Sequence, residues 1–334
     1  MIISRTPHRI SFFGGGTDYP SYYLQYGGKV IGAAIDKYCY LSVRKLPPFF
    51  NHKHRIVYSR QELIDRIEDI EHPSVRETLK FLGVDYGVSV HHDGDIPARS
   101  GMGSSSAFTV GLLNSMHALE GRRISRRELM ERAIYIEQDL IGECVGSQDQ
   151  AFAAYGGLNA IEFHPTGQIS VSPIIIKEER LRSFQNHLLL FYTGVSRIAS
   201  EVAQEQVGRT AQNVPALQAM GKMVDQAIDI LCSERPLTEF GELLEEGWRL
   251  KQSLSSRIST CEVDDLYTRA KAAGALGGKL LGAGGGGFML LFVEPALRQT
   301  VKKALQDYLY VPFGFDSDGS KIIVYRPDSL NGGS

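Results

Sequence analysis

Four consecutive glycines, at positions 284–287, stand inside LLGAGGGGFMLLFVE between two apolar runs that read as β-strand. No other feature constrains the fold as strongly. Glycine weakens a strand, so a side-chain-free stretch between strands implies that a ligand or another backbone comes very close. A flexible surface turn is the alternative, and the apolar flanks disfavour it. Gly282, Gly284 and Gly287 also satisfy GxGxxG, but a dinucleotide fingerprint is followed by a helix, and FMLLFVE reads as strand.

A second glycine segment, IPARSGMGSSSAF, places Gly101 and Gly103 before Ser104, Ser105 and Ser106. The helix it opens carries Ala107, Phe108, Val110, Leu112, Leu113, Met116 and Leu119, apolar nearly all round, and is expected to be buried. A glycine turn feeding a helix N-terminus offers backbone N–H groups and a positive dipole end to an anion. A serine-rich cap after a turn is the plainer reading. The P-loop alternative fails because no Lys stands in a GK[ST] signature. Near the start of the chain, Arg9, Asp18 and the glycines Gly14, Gly15 and Gly16 make a polar knot in an apolar strand and turn.

Two carboxylates stand out between these segments. A helix opens with Ser125 and Glu128 in capping-box spacing and carries Leu129, Ala133, Ile136 and Leu140 on one stripe. Glu137 borders that stripe, and a half-buried carboxylate must be paired or must hold a cation. Asp149, in GSQDQAFAAYGG, falls in the first turn of a short apolar helix, where an acid ordinarily complements the dipole.

Along the chain, RISFF, KVIGAAI running into YCYLSVRKL, and YGVSVHH read as strands. LNAIEFH with ISVSPIII reads as a hairpin, and HLLLFYTGV as a further strand. Residues 200–273 turn helical before strands return, and KIIVYRP is the last strand. This order predicts an α+β protein with a boundary near residue 185: one domain over 1–185, a second over 186–328 and a frayed tail over 329–334. With 334 residues, 43% of them hydrophobic, the chain can bury a large core. A net charge of −2 gives no general attraction to nucleic acid or anionic membrane. No apolar run has the length of a membrane span and the first residues do not read as a leader, so the expectation is a cytoplasmic protein, monomer or homodimer. Cys39, Cys144, Cys232 and Cys261 show no paired spacing and are expected to be reduced.

Up to Arg60 the positive residues are Arg5, Arg9, Lys29, Lys37, Arg44, Lys45, Lys53, Arg55 and Arg60, against Asp18 and Asp36 alone. An anionic ligand or a solvated basic face would explain the excess. His52 with His54, and His91 with His92, lack any further ligand at a recognised spacing and read as solvated loops, with a phosphate contact as the middle option for NHKHR.

Taken together and in order, PHRISFFGGGTDY, IPARSGMGSSSAF and KLLGAGGGGF resemble the three motifs of the galactokinase, homoserine kinase and mevalonate kinase (GHMP) superfamily. The resemblance implies an N-terminal domain of the ribosomal protein S5 domain 2-like type, a ferredoxin-like C-terminal domain and an active site between them. It implies ATP and Mg²⁺ as cofactors, with Pro97, Arg99, Ser100, Gly101, Met102, Gly103, Ser104, Ser105 and Ser106 on the nucleotide. Ser105 and Glu137 match the metal ligands, Asp149 the aspartate that takes the acceptor proton, and Arg9 the arginine beside it. Gly14, Gly15, Gly16, Thr17, Asp18, Gly284, Gly285 and Gly286 match acceptor-side positions. Within the superfamily, FFGGGTDYP, AAIDKYCYLSVR, LPPFF, HHDGDIPARSGMGSSS, VGSQDQAFAAYGG and GALGGKLLGAGGGGFM are similar to the heptose 7-phosphate kinase branch, which phosphorylates the anomeric hydroxyl of a sugar phosphate. Galactokinases carry Glu-His where this chain has Gly15 and Gly16. A phosphorylated acceptor would call for cations, and Lys37, Lys53, Arg55 and Arg197 are the candidates. An L-fucose kinase, a galactokinase-like 1-kinase and a non-catalytic sugar-sensing regulator are the rival readings.

Overall fold

A computed structural model describes residues 1–98, 100–194, 199–255 and 257–327. Its strands are β1 (Ile2–Phe13), β2 (Gly28–Lys45), β3 (His54–Val57), β4 (Gln61–Ile64), β5 (Val88–Gly94), β6 (Leu158–Phe163), β7 (Ile169–Pro173), β8 (Leu188–Tyr192), β9 (Ala275–Leu280), β10 (Phe288–Val293), β11 (Leu309–Tyr310) and β12 (Lys321–Tyr325). The helices are α1 (Pro20–Tyr26), α2 (Pro73–Phe81), α3 (Ser104–Leu119), α4 (Arg126–Tyr135), α5 (Gln148–Tyr155), α6 (Glu178–Asn186), α7 (Ala199–Gly208), α8 (Thr210–Cys232), α9 (Thr238–Ser253), α10 (Cys261–Ala272) and α11 (Arg298–Ala304). The α+β class is the one expected.

The 18 residues of β2 make it the spine of the first sheet. It pairs antiparallel with β1 along almost its whole length, with β6 at its start and with β5 at its end. The sheet runs β12-β1-β2-β5-β3-β4, with β6 and β7 as the expected hairpin branching from β2. A second, four-stranded antiparallel sheet runs β11-β8-β10-β9. The last strand does not stay with it: β12 crosses back to pair with β1, Ile2 opposite Tyr325.

The two sheets share one core. Ile10, Phe12 and Phe13 from β1 pack with Leu188 and Leu190 of β8, Phe240 and Leu243 of α9, and Phe292 of β10. Phe12, Phe184 and Phe240 meet edge to face, with ring centroids 4.7 to 5.7 Å apart. Such pairs add about 0.5–1.5 kcal/mol each beyond their burial, so the two halves are held in one relation and the cleft between them has fixed walls.

Local rules account for much of this. The Ser125 capping box forms with Glu128, and α3 is buried on nearly every side. Two expectations fail for tertiary reasons. His54 is a buried strand residue rather than part of a solvated loop, because β3 is recruited between β4 and β5; His91 and His92 likewise sit in β5. Leu140 leaves the stripe of Leu129, Ala133 and Ile136 and is 36% exposed. The chain from Ile136 to Leu140 forms a π-turn, whose extra residue rotates Leu140 outward and carries Glu137 fully inward.

Candidate active site

Gly101 and Gly103 both hold left-handed backbone, φ +79° and +74°. Gly103 is the N-cap of α3 and offers no side chain to the first-turn N–H groups, which leaves that helix end facing the cleft. The third glycine segment packs directly on this turn. A Cβ on Gly282 would lie 2.4 Å from the Gly101 Cα, and one on Gly287 would lie 2.3 Å from the Ser100 carbonyl oxygen. The close approach inferred for this segment is thus, in part, an approach to the other glycine turn.

Above the turn lies a cavity of about 290 Å³ lined by residues from both halves of the chain. Arg9, Gly15, Gly16, Asp18, Gly101, Gly103, Ser104, Ser105, Ser106 and Asp149 reach it. Arg9 donates through Nη2 at 2.7 Å and Nε at 2.8 Å to the same oxygen, Oδ1, of Asp149, and through Nη1 at 2.6 Å to the Gly101 carbonyl. Both guanidinium bonds go to Oδ1, and Oδ2 lies on the Gly103 side. Asp18 accepts from the Gly16 N–H at 2.9 Å and from Gln148 Nε2 at 2.8 Å. Burial raises its pKa, the Asp149 charge adds to the rise, and those hydrogen bonds oppose it.

Glu137 is fully buried behind the turn. It accepts from Ser106 Oγ at 2.7 Å, Thr109 Oγ1 at 2.8 Å, Ser105 Oγ at 3.3 Å and from Gln150 Nε2. All four donors are neutral. Burial therefore pushes the carboxyl up to about 7 in spite of these bonds. A carboxylate without a countercharge beside a serine hydroxyl that also reaches the cavity suits Mg²⁺, which takes few protein oxygens and keeps phosphate and water oxygens. Among the described residues no group of three or more His, Cys, Asp or Glu could hold a metal by itself.

Other candidates lie away from the cavity. Gly14 lies against the Lys29 carbonyl, and Thr17 Oγ1 donates to the Gly14 carbonyl at 2.8 Å, so both shape the turn. Ser100 and Met102 are buried, and the Met102 carbonyl accepts from the Arg9 N–H at 3.1 Å. Pro97 is exposed. Gly284 and Gly285 pack on Ile258, whose carbonyl accepts from the Gly285 N–H at 2.9 Å, and Gly286 continues the turn at φ +147°. Lys37 bonds its neighbour Asp36 at 3.1 Å, Lys53 is exposed, and Arg55 bonds Ser89 at 3.2 Å and lies over Phe50. None of these three lines the cavity. Much of the early basic excess is met by later acids: Lys29 by Glu162 and Asp225, Lys45 by Glu120, Arg5 by Asp316. Arg99 and Arg197 lie outside the described residues.

Several lining or supporting groups escaped the sequence reading. Gln148 and Gln150, on either side of the expected Asp149 in α5, address Asp18 and Glu137, as Asp149 addresses Arg9. The QDQ run was the available signal. Lys251 and Lys279 also line the cavity. Lys251 continues the buried face of Phe240, Leu244 and Trp248 on α9, and Lys279 interrupts the apolar run of β9, so a lysine on an apolar stripe was the clue for each.

Comparison with known proteins bears on the family and the fold. Residues 62–157 match the GHMP kinases N terminal domain and residues 227–311 match the GHMP kinases C terminal, together more than half of the chain. The D-glycero-alpha-D-manno-heptose 7-phosphate kinase of Campylobacter jejuni is 28% identical over 96% of this chain and 98% of its own. The L-fucokinase/L-fucose-1-P guanylyltransferase of Bacteroides fragilis is 26% identical over 92% of this chain but 36% of its own. The crystal structure of a D-glycero-D-manno-heptose 1-phosphate kinase from Bacteroides thetaiotaomicron shares the fold with a TM-score of 0.77, at 24% identity, over 96% of this chain and 98% of that one. No helix among the described residues is long and apolar enough to cross a membrane. The chain belongs to the GHMP kinase family and is an ATP-dependent kinase.

Proposed function

We propose that the chain transfers the γ-phosphoryl group of ATP to the anomeric hydroxyl of D-glycero-D-manno-heptose 7-phosphate, giving the 1,7-bisphosphate. The observation that carries the transfer chemistry is the Arg9–Asp149 pair, 2.7 Å apart, at a cavity bounded by the start of α3 on one side and Asp18 on the other. Asp149 accepts the acceptor proton on Oδ2 while Arg9 holds Oδ1. The hydroxyl oxygen then forms its bond to the γ-phosphorus as the bond to the ADP oxygen breaks. An anomeric hydroxyl is more acidic than an ordinary alcohol, so an ionised aspartate is an adequate base. The transition state is loose and asks mainly for alignment and neutralised charge, which Arg9 and the N–H groups of α3 supply. Ser105 and Glu137 would hold Mg²⁺, which when bound neutralises phosphate charge. Asp18, fixed by Gly16 and Gln148, binds sugar hydroxyls.

The choice of acceptor is supported by the Campylobacter jejuni relative, matched over nearly its full length, and by Gly15 and Gly16, which leave room where galactokinases carry two side chains. The test is a steady-state comparison of heptose 7-phosphate, free heptose, L-fucose and galactose at saturating Mg²⁺-ATP. The expected result is a kcat/KM for the phosphorylated heptose at least about 10²-fold above the others, since each charge-assisted bond to its phosphate contributes about 1.5–3 kcal/mol. A free sugar used equally well overturns this acceptor and leaves the kinase assignment standing.

A further inference from the structure

We propose that Lys251 and Lys279 form an anion-binding floor beneath the Arg9–Asp149 pair, and that its occupant is a phosphoryl group, supplied either by the acceptor's own phosphate or by the group in transfer. The inference rests on the reading of the cleft as a phosphoryl-transfer site.

Both lysines line the cavity with Arg9 and Asp18, and both are buried, each 7% exposed. Lys251 arrives from α9, and its Nζ donates to the carbonyl of Leu280 at 2.9 Å and to that of Gly282. Lys279 arrives from β9, and its Nζ donates to the Phe12 carbonyl at 2.8 Å. An ammonium has three N–H donors. With both lysines charged, one therefore remains on Lys251 and two on Lys279. Among the described residues no carboxylate lies within ion-pair distance of either. Asp18 is the acid whose charge reaches both, and it is held by Gly16 and Gln148. Arg9 is engaged by Asp149.

Two ammonium groups taken out of water on one cavity wall, resting on neutral carbonyls alone, are an unfavourable arrangement unless a negative group completes it. Repulsion works in the same direction as burial: burial first, then Arg9, lowers the tendency of Lys251 to hold a proton, and burial first, then Lys251 and Arg9, lowers that of Lys279. A phosphoryl group supplies several acceptor oxygens and up to two negative charges, which matches the free donors and the excess of cation. A purely structural role, tying the glycine segment at Leu280 and Gly282 to α9, needs the hydrogen bonds of Lys251 but not its charge.

The experiment separates charge from bonding and does not depend on which sugar is the acceptor. Lys251→Gln, Lys279→Met and Lys279→Arg are compared with the wild type in calorimetric titrations with inorganic phosphate, after circular dichroism and thermal melting establish that each is folded. The expected result is at least tenfold weaker phosphate binding in Lys251→Gln and Lys279→Met, recovered in Lys279→Arg. Steady-state kinetics with a phosphorylated sugar and its unphosphorylated counterpart then identify the source. A KM raised tenfold or more for the phosphorylated sugar alone assigns the floor to the acceptor's phosphate. A kcat lowered tenfold or more for both, at unchanged KM, assigns it to the group in transfer. Wild-type phosphate affinity and kinetics in a folded Lys251→Gln overturn the proposal, even if Lys279→Met fails to fold. If the heptose proves not to be the acceptor, the phosphate titrations still decide the matter.

Discussion

Around the start of α3 the acids and the arginine already have partners: Arg9 of β1 holds Asp149 of α5, Asp18 accepts from a main-chain N–H and an amide, and Glu137, behind the turn, accepts from four neutral donors. In the part of the lining that comes from α9 and β9, Lys251 and Lys279 lean on main-chain carbonyls. The first region is a preset geometry, ready before any ligand arrives. The second is an unfinished charge arrangement, whose lysines hold their protons weakly until an anion binds. Four perturbations test this contrast.

The largest effect is expected in the matched region. Asp149→Asn keeps an oxygen for Arg9 but removes the proton acceptor, so kcat should fall about 10²–10⁴-fold with little change in ATP affinity. Single-turnover kinetics and nucleotide titration measure the two separately, and a near-wild-type kcat would remove Asp149 from the chemistry. Next comes the seam where the glycine segments touch. Gly282→Ala places a Cβ 2.4 Å from the Gly101 Cα at φ +74°, both backbone constraints, and should cost roughly 2–4 kcal/mol of stability. Gly83→Ala, at φ +63° with open space around it, should cost about 1–2 kcal/mol in the same urea titration, which isolates the crowding from the backbone strain.

The third perturbation concerns the unmatched region. Burial, and then the Arg9 charge, lower Lys251 to about 7 from 10.5. Between those values the unfolded chain binds the proton more readily than the native one, so the Lys251 contribution to stability rises with pH across that window. The slope is at most about 1.4 kcal/mol per pH unit. Melting temperatures of wild type and Lys251→Met, compared between pH 7 and pH 9, should therefore diverge in favour of the wild type; parallel curves would mean that Lys251 is not desolvated. The smallest effect is expected outside the cleft. Lys53→Ala and Arg55→Ala should change kcat/KM for any acceptor by no more than about twofold, because neither side chain lines the cavity. A tenfold loss would restore the early basic residues as ligand contacts.

Much of the first region was legible in the residues. The glycines at 101 and 103, the capping box at Ser125 and the all-round apolar α3 obey rules that operate within a few residues, and each formed where those rules put it. Glu137 was legible as a carboxylate on a stripe, though not that a π-turn would drive it fully inside. Lys37, Lys53 and Arg55 were singled out by composition, which counts charge without locating it.

By itself, then, the order of the residues determined the α+β class and the three glycine segments, because periodicity, capping and glycine backbone freedom are short-range; Arg9, Asp18, Ser105, Glu137 and Asp149 stood out as candidates through the resemblance of their motifs to those of the family. Tertiary structure alone decided that β12 returns to β1, that Gly282 lies on Gly101, and that Lys251 and Lys279, 28 residues apart on different elements, face one cavity with Arg9. Those outcomes depend on which surfaces the shared aromatic core brings together, and no local propensity encodes a meeting between residues so far apart in the chain.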